Sequence, residues 1–192
     1  MERWTKHIDM IVIGGSHGAV DMVLKIVAGL SHDFLIPIAI VIHMGKRRSG
    51  NLAEIIAHRT KLKVKEPDDK GKIEQRHLYL AVPDYHLLIE PEGLFSFCAS
   101  EPVHYSRPSI DVTFKSAARV YGNRLAAILL SGANHDGTAG LAAVKQQGGY
   151  TVVQDPLTAE TNVMPQYAID TVKPHQITNV NQIIHIINSF NF

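Results

Sequence analysis

Residues Asp9 to Gly15, DMIVIGG, form an apolar run closed by two glycines, after which Val20, Val23, Leu24, Val27 and Leu30 recur at helical spacing. The first pattern predicts a buried strand and the second the helix that follows it. Ile36 to His43, IPIAIVIH, is apolar almost throughout, as expected of a parallel-sheet strand covered on both faces. Leu52, Ile55 and Ile56 predict a second helix, and KLKVK at 61–65 alternates as an exposed edge strand does. Strand, helix, strand, helix, strand is the order of a parallel sheet with crossover helices. The middle of the chain changes character. Leu78–Val82, His86–Glu90 and Leu94–Cys98 are short runs parted by Pro83-Asp84 and Pro91-Glu92-Gly93, which predicts a small antiparallel meander. Ser109 then reads as the N-cap of a helix running to Tyr121 and stopped by Gly122. Alternation returns with a strand at 124–131, a helix at 138–147 closed by Gly148-Gly149, a strand at 150–154, a short helix at 163–169 and a last helix at 180–190. The expected fold is α/β: one doubly wound, mainly parallel sheet with helices on both faces and a small antiparallel insertion, as a single domain over residues 1–192.

Composition narrows the function classes. With 45% hydrophobic and 19% charged residues the chain is globular, and 192 residues suit one core. Nineteen basic against eighteen acidic residues leave a net charge of +1, which argues against a nucleic-acid partner. No apolar run approaches the roughly 20 residues of a membrane span, so no membrane insertion is expected. The start, MERWTKHIDM, lacks the apolar stretch of a signal peptide, and the single Cys98 cannot form an internal disulfide. A cytoplasmic location is therefore expected. Eleven histidines include no HxH or HExxH spacing, so no metal is expected, and Ser16 and His43 stand where a nicotinamide- or flavin-binding fingerprint wants a glycine and an acid, so no organic cofactor is expected either.

The first strand-to-helix turn reads Gly14-Gly15-Ser16-His17-Gly18. A dinucleotide fingerprint wants a glycine where Ser16 stands, and an acid at the end of the second strand where His43 stands. The alternative is GxSxG, a nucleophile elbow, in which small neighbours allow a sharp turn that exposes a serine beside free helix N–H groups. The plainer reading is that Ser16 caps the helix. A nucleophilic serine needs a base and the base an orienting acid. Active groups in open α/β sheets collect at the carboxyl ends of strands. His43 ends the second strand, and Asp136 lies in the loop SGANHDG after the strand RLAAILL. His135 is a rival partner, and Asp136-Gly137 also reads as a simple turn and helix cap.

Taken together these stretches resemble the catalytic domain of the chemotaxis protein-glutamate methylesterase (CheB-type) family, from about Ile11 to Ile187. VIGGSHGA resembles the family's nucleophile turn and VIHM the strand carrying its histidine. LKVKEPDDKGKI, LYLAVPDYHLLIEPEG and PVHYSRPSIDVTFKSAA resemble its middle blocks. LLSGANHDGTAGLAAVKQQGG resembles the loop carrying its aspartate, and VVQD with MPQYAI its last block. The resemblance implies a Ser16, His43, Asp136 triad, with backbone N–H groups of His17 and Ala133 as the oxyanion hole. It implies hydrolysis of glutamyl γ-methyl esters on the methylation helices of chemoreceptors, and deamidation of receptor glutamines in some members. The sequence departs from the family's GSTGG at His17 and Ala19, and from its TGMGxDG at Ala133 and Asn134. The family's receiver domain has no counterpart in residues 1–192, which leaves open a chain without regulation in cis, a separate receiver or other regulatory protein as partner, and a fragment of a longer protein.

Charge adds one candidate surface. Residues 46–76 carry ten Lys or Arg against five Asp or Glu, so the rest of the chain is net acidic. Lys46, Arg47 and Arg48 follow closely on His43, where a basic lip would dock a glutamate-rich receptor helix. The same run also reads as a solvated surface that deters edge pairing. The competing class is a receptor-binding module of the same fold with an impaired site.

Overall fold

A computed structural model describes residues 7–43 and 51–190. Seven parallel strands lie in the order β3-β4-β2-β1-β7-β8-β9. They are β1 (Met10–Gly15), β2 (Ile38–Ile42), β3 (Lys63–Lys65), β4 (His77–Leu80), β7 (Leu125–Leu129), β8 (Tyr150–Gln154) and β9 (Gln176–Thr178). β5 (His86–Glu90) and β6 (Leu94–Cys98) form a separate antiparallel hairpin.

The central strands are apolar because both faces are covered. Along β1, Ile11 and Ile13 face a layer that includes α1 (Ala19–Ala28), α2 (Leu52–Ala57) and α6 (Val180–Ser189). Met10 and Val12 face the opposite layer of α3 (Ile110–Tyr121), α4 (Thr138–Gln146), α5 (Val163–Val172) and the hairpin. Side chains alternate across a strand, so a run without polar breaks fills two cores at once. Each fully buried isoleucine contributes roughly 1.5–3 kcal/mol.

The hairpin does not lie loose. Its strand β5 turns its backbone to α3, where Thr113 Oγ1 donates to the Leu87 carbonyl (2.8 Å) and Ile89 N–H donates to Ser116 Oγ (3.0 Å). The helix thereby covers an edge that would otherwise offer unpaired backbone groups.

Two features differ from the sequence pattern. The expected three-strand meander is a two-strand hairpin, because His77–Leu80 is buried on both faces and pairs with β2 and β3 inside the parallel sheet. The three-residue edge strand β9 carries no run long enough to announce it. Among the described residues no helix is long and apolar enough to cross a membrane.

Strands leave β1 in both directions, toward β2 on one side and toward β7 on the other. Such a switch in strand order opens a crevice at the carboxyl ends of the strands. The chain places Ser16, His43 and the loop 131–137 at the ends of β1, β2 and β7.

Candidate active site

Ser16 is held by its backbone. Its N–H donates to the Ser131 carbonyl (2.9 Å), and its own carbonyl accepts from Ala19 N–H (3.1 Å). The residue that caps α1 is Gly18, at φ 78, with no side-chain cap. The simple capping role for Ser16 is therefore not what the turn uses. Gly18 supplies the left-handed conformation that the sharp turn requires. Gly14 is needed for closeness: a Cβ there would lie 2.3 Å from Ile110 Cγ2, at the start of α3.

His43 follows β2, and its N–H donates to the Gly15 carbonyl (3.1 Å), which ties it to the serine turn. Its Nε2 lies 2.8 Å from Asp136 Oδ2. The side chain is 10% exposed, and Nδ1 is buried without a hydrogen-bond partner. With a carboxylate fixing the proton on Nε2, Nδ1 carries the free lone pair.

Asp136 is fully buried and accepts from five donors. Oδ2 takes His43 and the Ile110 N–H (2.7 Å); Oδ1 takes Ser109 Oγ (2.9 Å), Asp111 N–H (3.0 Å) and Gly137 N–H (3.0 Å). The carboxylate thus sits on the N-terminus of α3, where free N–H groups and the helix dipole favour negative charge. Burial alone would raise its pKa. The bonds from His43 and the Asp111 N–H, the His43 charge and the Ile110 N–H outweigh burial and hold it below the usual carboxylate range.

Asp111, buried beside it, accepts from Gly140 N–H (2.6 Å) and faces His104 Nε2 at 3.5 Å. Burial pushes the Asp111 carboxyl up, the Gly140 bond opposes this, and the Asp136 charge adds to it. His104, Asp111 and Asp136 bring ligand-type atoms within 4.8 Å of one another. Both oxygens of Asp136 are already engaged by its five donors, so this group is built for hydrogen bonding within the protein.

Ser16 and His43 line one open cleft of about 550 Å³ together with His17, Val20, Asp21, Leu52, Ile55 and Glu160. Ile55, one of the residues that signalled α2, is 45% exposed here and forms part of the cleft wall instead of the core. His17 Nε2 meets Glu160 Oε1 at 3.3 Å, both side chains largely exposed. Ala133 lies exposed in the loop that carries Asp136. That loop is anchored by Ser131 Oγ donating to the His17 carbonyl (2.7 Å), by Gly132 N–H donating to the Thr161 carbonyl (3.1 Å) and by Gly132 accepting from Met164 N–H (2.9 Å). Neither Ala133 nor Asn134 takes a positive φ, and Asn134 Oδ1 accepts the Asp136 N–H (3.1 Å). The loop therefore accommodates the loss of a glycine with an Asx-type turn.

His135 stacks on Tyr167, ring centroids 3.9 Å apart, and takes no part in the His43–Asp136 contact. Lys46, Arg47 and Arg48 lie outside the described residues. Ser109, Ile110 and Asp111, which hold Asp136, were not singled out from the sequence as site residues. Their only local signal is the N-cap serine, and the partner it serves is 27 residues away.

A serine turn, a carboxylate-held histidine and a shared cleft at the switch point of a parallel sheet define an α/β domain equipped for acyl transfer chemistry. The chain belongs to the CheB methylesterase family, whose model matches residues 11–187. A Leptospira interrogans protein provisionally named protein-glutamate methylesterase/protein-glutamine glutaminase is 42% identical over 178 residues, covering 93% of this chain and 92% of the relative. The protein-glutamate methylesterase/protein-glutamine glutaminase 1 of Carboxydothermus hydrogenoformans is 36% identical over 167 residues, which are 84% of this chain and 49% of that longer protein. The crystal structure of the Thermotoga maritima CheB methylesterase catalytic domain superposes with a TM-score of 0.90 at 28% identity, covering 95% of this chain and 98% of that one.

Proposed function

We propose that the chain hydrolyses glutamyl γ-methyl esters on chemoreceptors through Ser16, His43 and Asp136, with Ser16 as nucleophile. The carrying observation is the histidine held by Asp136 at 2.8 Å, with its second nitrogen unpartnered beside the cleft that Ser16 lines.

In this reading His43 Nδ1 takes the Ser16 proton as Oγ attacks the ester carbonyl. The buried Asp136 carboxylate fixes the tautomer and stabilises the imidazolium that forms. The developing oxyanion is bound by the N–H groups of His17 and Ala133, which remain available whatever side chains those positions carry. His43 returns the proton to the leaving methoxide, which departs as methanol. Water, deprotonated by His43, then cleaves the acyl-serine ester, freeing the glutamate carboxylate and Ser16. A glutamine side chain follows the same course with ammonia as leaving group, in keeping with the double name of the relatives. None of these steps calls on a cofactor.

The proposed partner is the cytoplasmic methylation helix of a chemoreceptor, which places the chain in the cytoplasm. The proposed domain is the catalytic unit over residues 1–192, and its proposed regulator is a receiver or other regulatory protein. Lys46, Arg47 and Arg48 would steer the acidic helix toward the cleft. Reversing their charges should slow demethylation at low salt more than at high salt, whereas equal rates at both would dismiss the docking role.

The test is methanol release from a methyl-esterified receptor fragment, alongside labelling by a fluorophosphonate. Release with wild type and none with Ser16→Ala supports the reading. A wild-type chain that neither releases methanol nor takes the label is the impaired receptor-binding module.

A further inference from the structure

His86 is buried at the first residue of β5, on the hairpin rather than on the sheet that carries the site. Its two ring nitrogens do different work. Nδ1 accepts the Ser109 N–H at 3.1 Å, so Nε2 carries the proton and donates to the Glu101 carbonyl, also at 3.1 Å. Ser109 in turn donates from Oγ to Asp136 Oδ1, and Asp136 Oδ2 meets His43 Nε2. An unbroken line of hydrogen bonds therefore runs from the loop after β6, through His86, Ser109 and Asp136, to the imidazole.

Ser109 is the N-cap of α3, and the next two N–H groups, of Ile110 and Asp111, complete the seat of the Asp136 carboxylate. The position of that helix end decides where the carboxylate lies and hence how the His43 ring is turned. Three bonds join β5 to α3, at Ser109, Thr113 and Ser116. The one through His86 is the one made at the end that seats Asp136.

We propose that His86 is a positioning residue for the hydrolytic site: by accepting the Ser109 N–H it fixes the N-terminus of α3, and through it the His43–Asp136 pair. This rests on the triad reading given above. It assigns the antiparallel hairpin a function, that of a splint on the helix end that seats the aspartate.

Two near-isosteric variants separate the two bonds. Asn at position 86 brings an amide oxygen to the Nδ1 position, keeping the acceptor for Ser109 and losing the donor to Glu101. Gln brings an amide to the Nε2 position, keeping the donor to Glu101 and losing the acceptor for Ser109. Ser116→Ala removes another β5–α3 bond away from the helix end. The experiment measures kcat and KM for methyl-ester hydrolysis on these variants and on Ser16→Ala, together with the low-field proton resonance of His43 Nε2–H.

The expected result is that His86→Gln lowers kcat by about 10- to 100-fold with KM little changed, the range that a misplaced reacting group produces. His86→Asn retains most of the kcat, and Ser116→Ala loses thermal stability with kcat preserved. The His43 resonance should broaden or move upfield in His86→Gln alone. Equal kcat in His86→Asn and His86→Gln, or a loss in Ser116→Ala as large as in His86→Gln, would overturn the proposal. Activity that survives Ser16→Ala would instead overturn the nucleophile reading, and the resonance would still decide the part played by His86.

Discussion

Asp111 and Asp136 cap each other's helices. Asp136, one residue before the α4 N-cap, accepts the first N–H groups of α3, and Asp111, in the first turn of α3, accepts the Gly140 N–H in the first turn of α4. Neither helix could shift at its start without exposing the other's carboxylate. The two charges are brought close together, and the structure resolves the conflict unequally: Asp136 is held below the ordinary carboxylate range and Asp111 above it.

Replacing Asp136 by Asn should therefore harm both chemistry and fold. The amide cannot fix the His43 tautomer, and its NH2 faces N–H donors that need an acceptor. A loss of kcat of about 10³- to 10⁴-fold is expected for Asp136→Asn, with Ser16→Ala and His43→Ala losing at least as much. Methanol release by the purified variants, with melting curves alongside, checks this. An Asp136→Asn chain within tenfold of wild type would remove Asp136 from the catalytic role.

Opposite pH signatures follow from the two carboxyls. A depressed carboxyl such as Asp136 adds stability above its unfolded pKa and forfeits it as pH falls through the lower folded value. A raised carboxyl such as Asp111 does the reverse: ionising it costs stability at neutral pH, and that cost disappears as pH falls through its raised folded value. Asp111→Asn keeps an oxygen for Gly140 and removes a charge beside Asp136. It should be at least as stable as wild type at pH 7, with the difference shrinking toward acid pH. Urea unfolding at several pH values measures it, and an Asp111→Asn chain clearly weaker at pH 7 would mean that the ionised Asp111 stabilises the fold.

Gly14 is where the serine strand touches the helix that seats Asp136. An alanine Cβ there meets Ile110 Cγ2 at 2.3 Å, and the N–H of that same residue is bound to Asp136. Gly14→Ala should cost about 1–3 kcal/mol through overpacking. It should also lower kcat in the fraction that remains folded. Denaturant unfolding and active-site-titrated kinetics separate the two effects, and an unchanged kcat per active site would show that α3 absorbs the displacement elsewhere.

The side chain of His17 should matter little. Its pair with Glu160 is exposed on both sides, and exposed pairs contribute about 0–1 kcal/mol. His17→Ala keeps the backbone N–H proposed for the oxyanion. Stability within about 0.5 kcal/mol and kcat within a few fold of wild type are expected. A hundredfold drop in kcat would give the imidazole itself a part in the reaction.

How much of this was legible in the chain depended on how local the signal was. The strand 10–15, its glycine-rich exit and the following helix are written in consecutive residues, so the serine turn could be placed from pattern alone. His43 and Asp136 could be paired as candidates because one ends an apolar strand and the other lies in the loop that follows one. What holds Asp136 was hidden, since Ser109 and Ile110 look like an ordinary helix start and His86 like one polar residue in a short strand. Their meaning comes from α3 packing beside α4 and the hairpin, a relation between segments some 25 residues apart. The strand 77–80 was misplaced for a similar reason: the proline after it resembles hairpin punctuation, and only the burial of both its faces reveals a seat in the parallel sheet.

The position of β1 between β2 and β7 also bears on how the protein is made. The strand's first neighbour leaves the ribosome soon after it, whereas the second is followed only at residue 136 by the carboxylate that orients His43. A nascent chain that has emerged as far as Tyr121 already carries Ser16 and His43 but has nothing to aim the imidazole. The proposed triad would thus be complete only once both halves of the sheet have been made and close around their common strand.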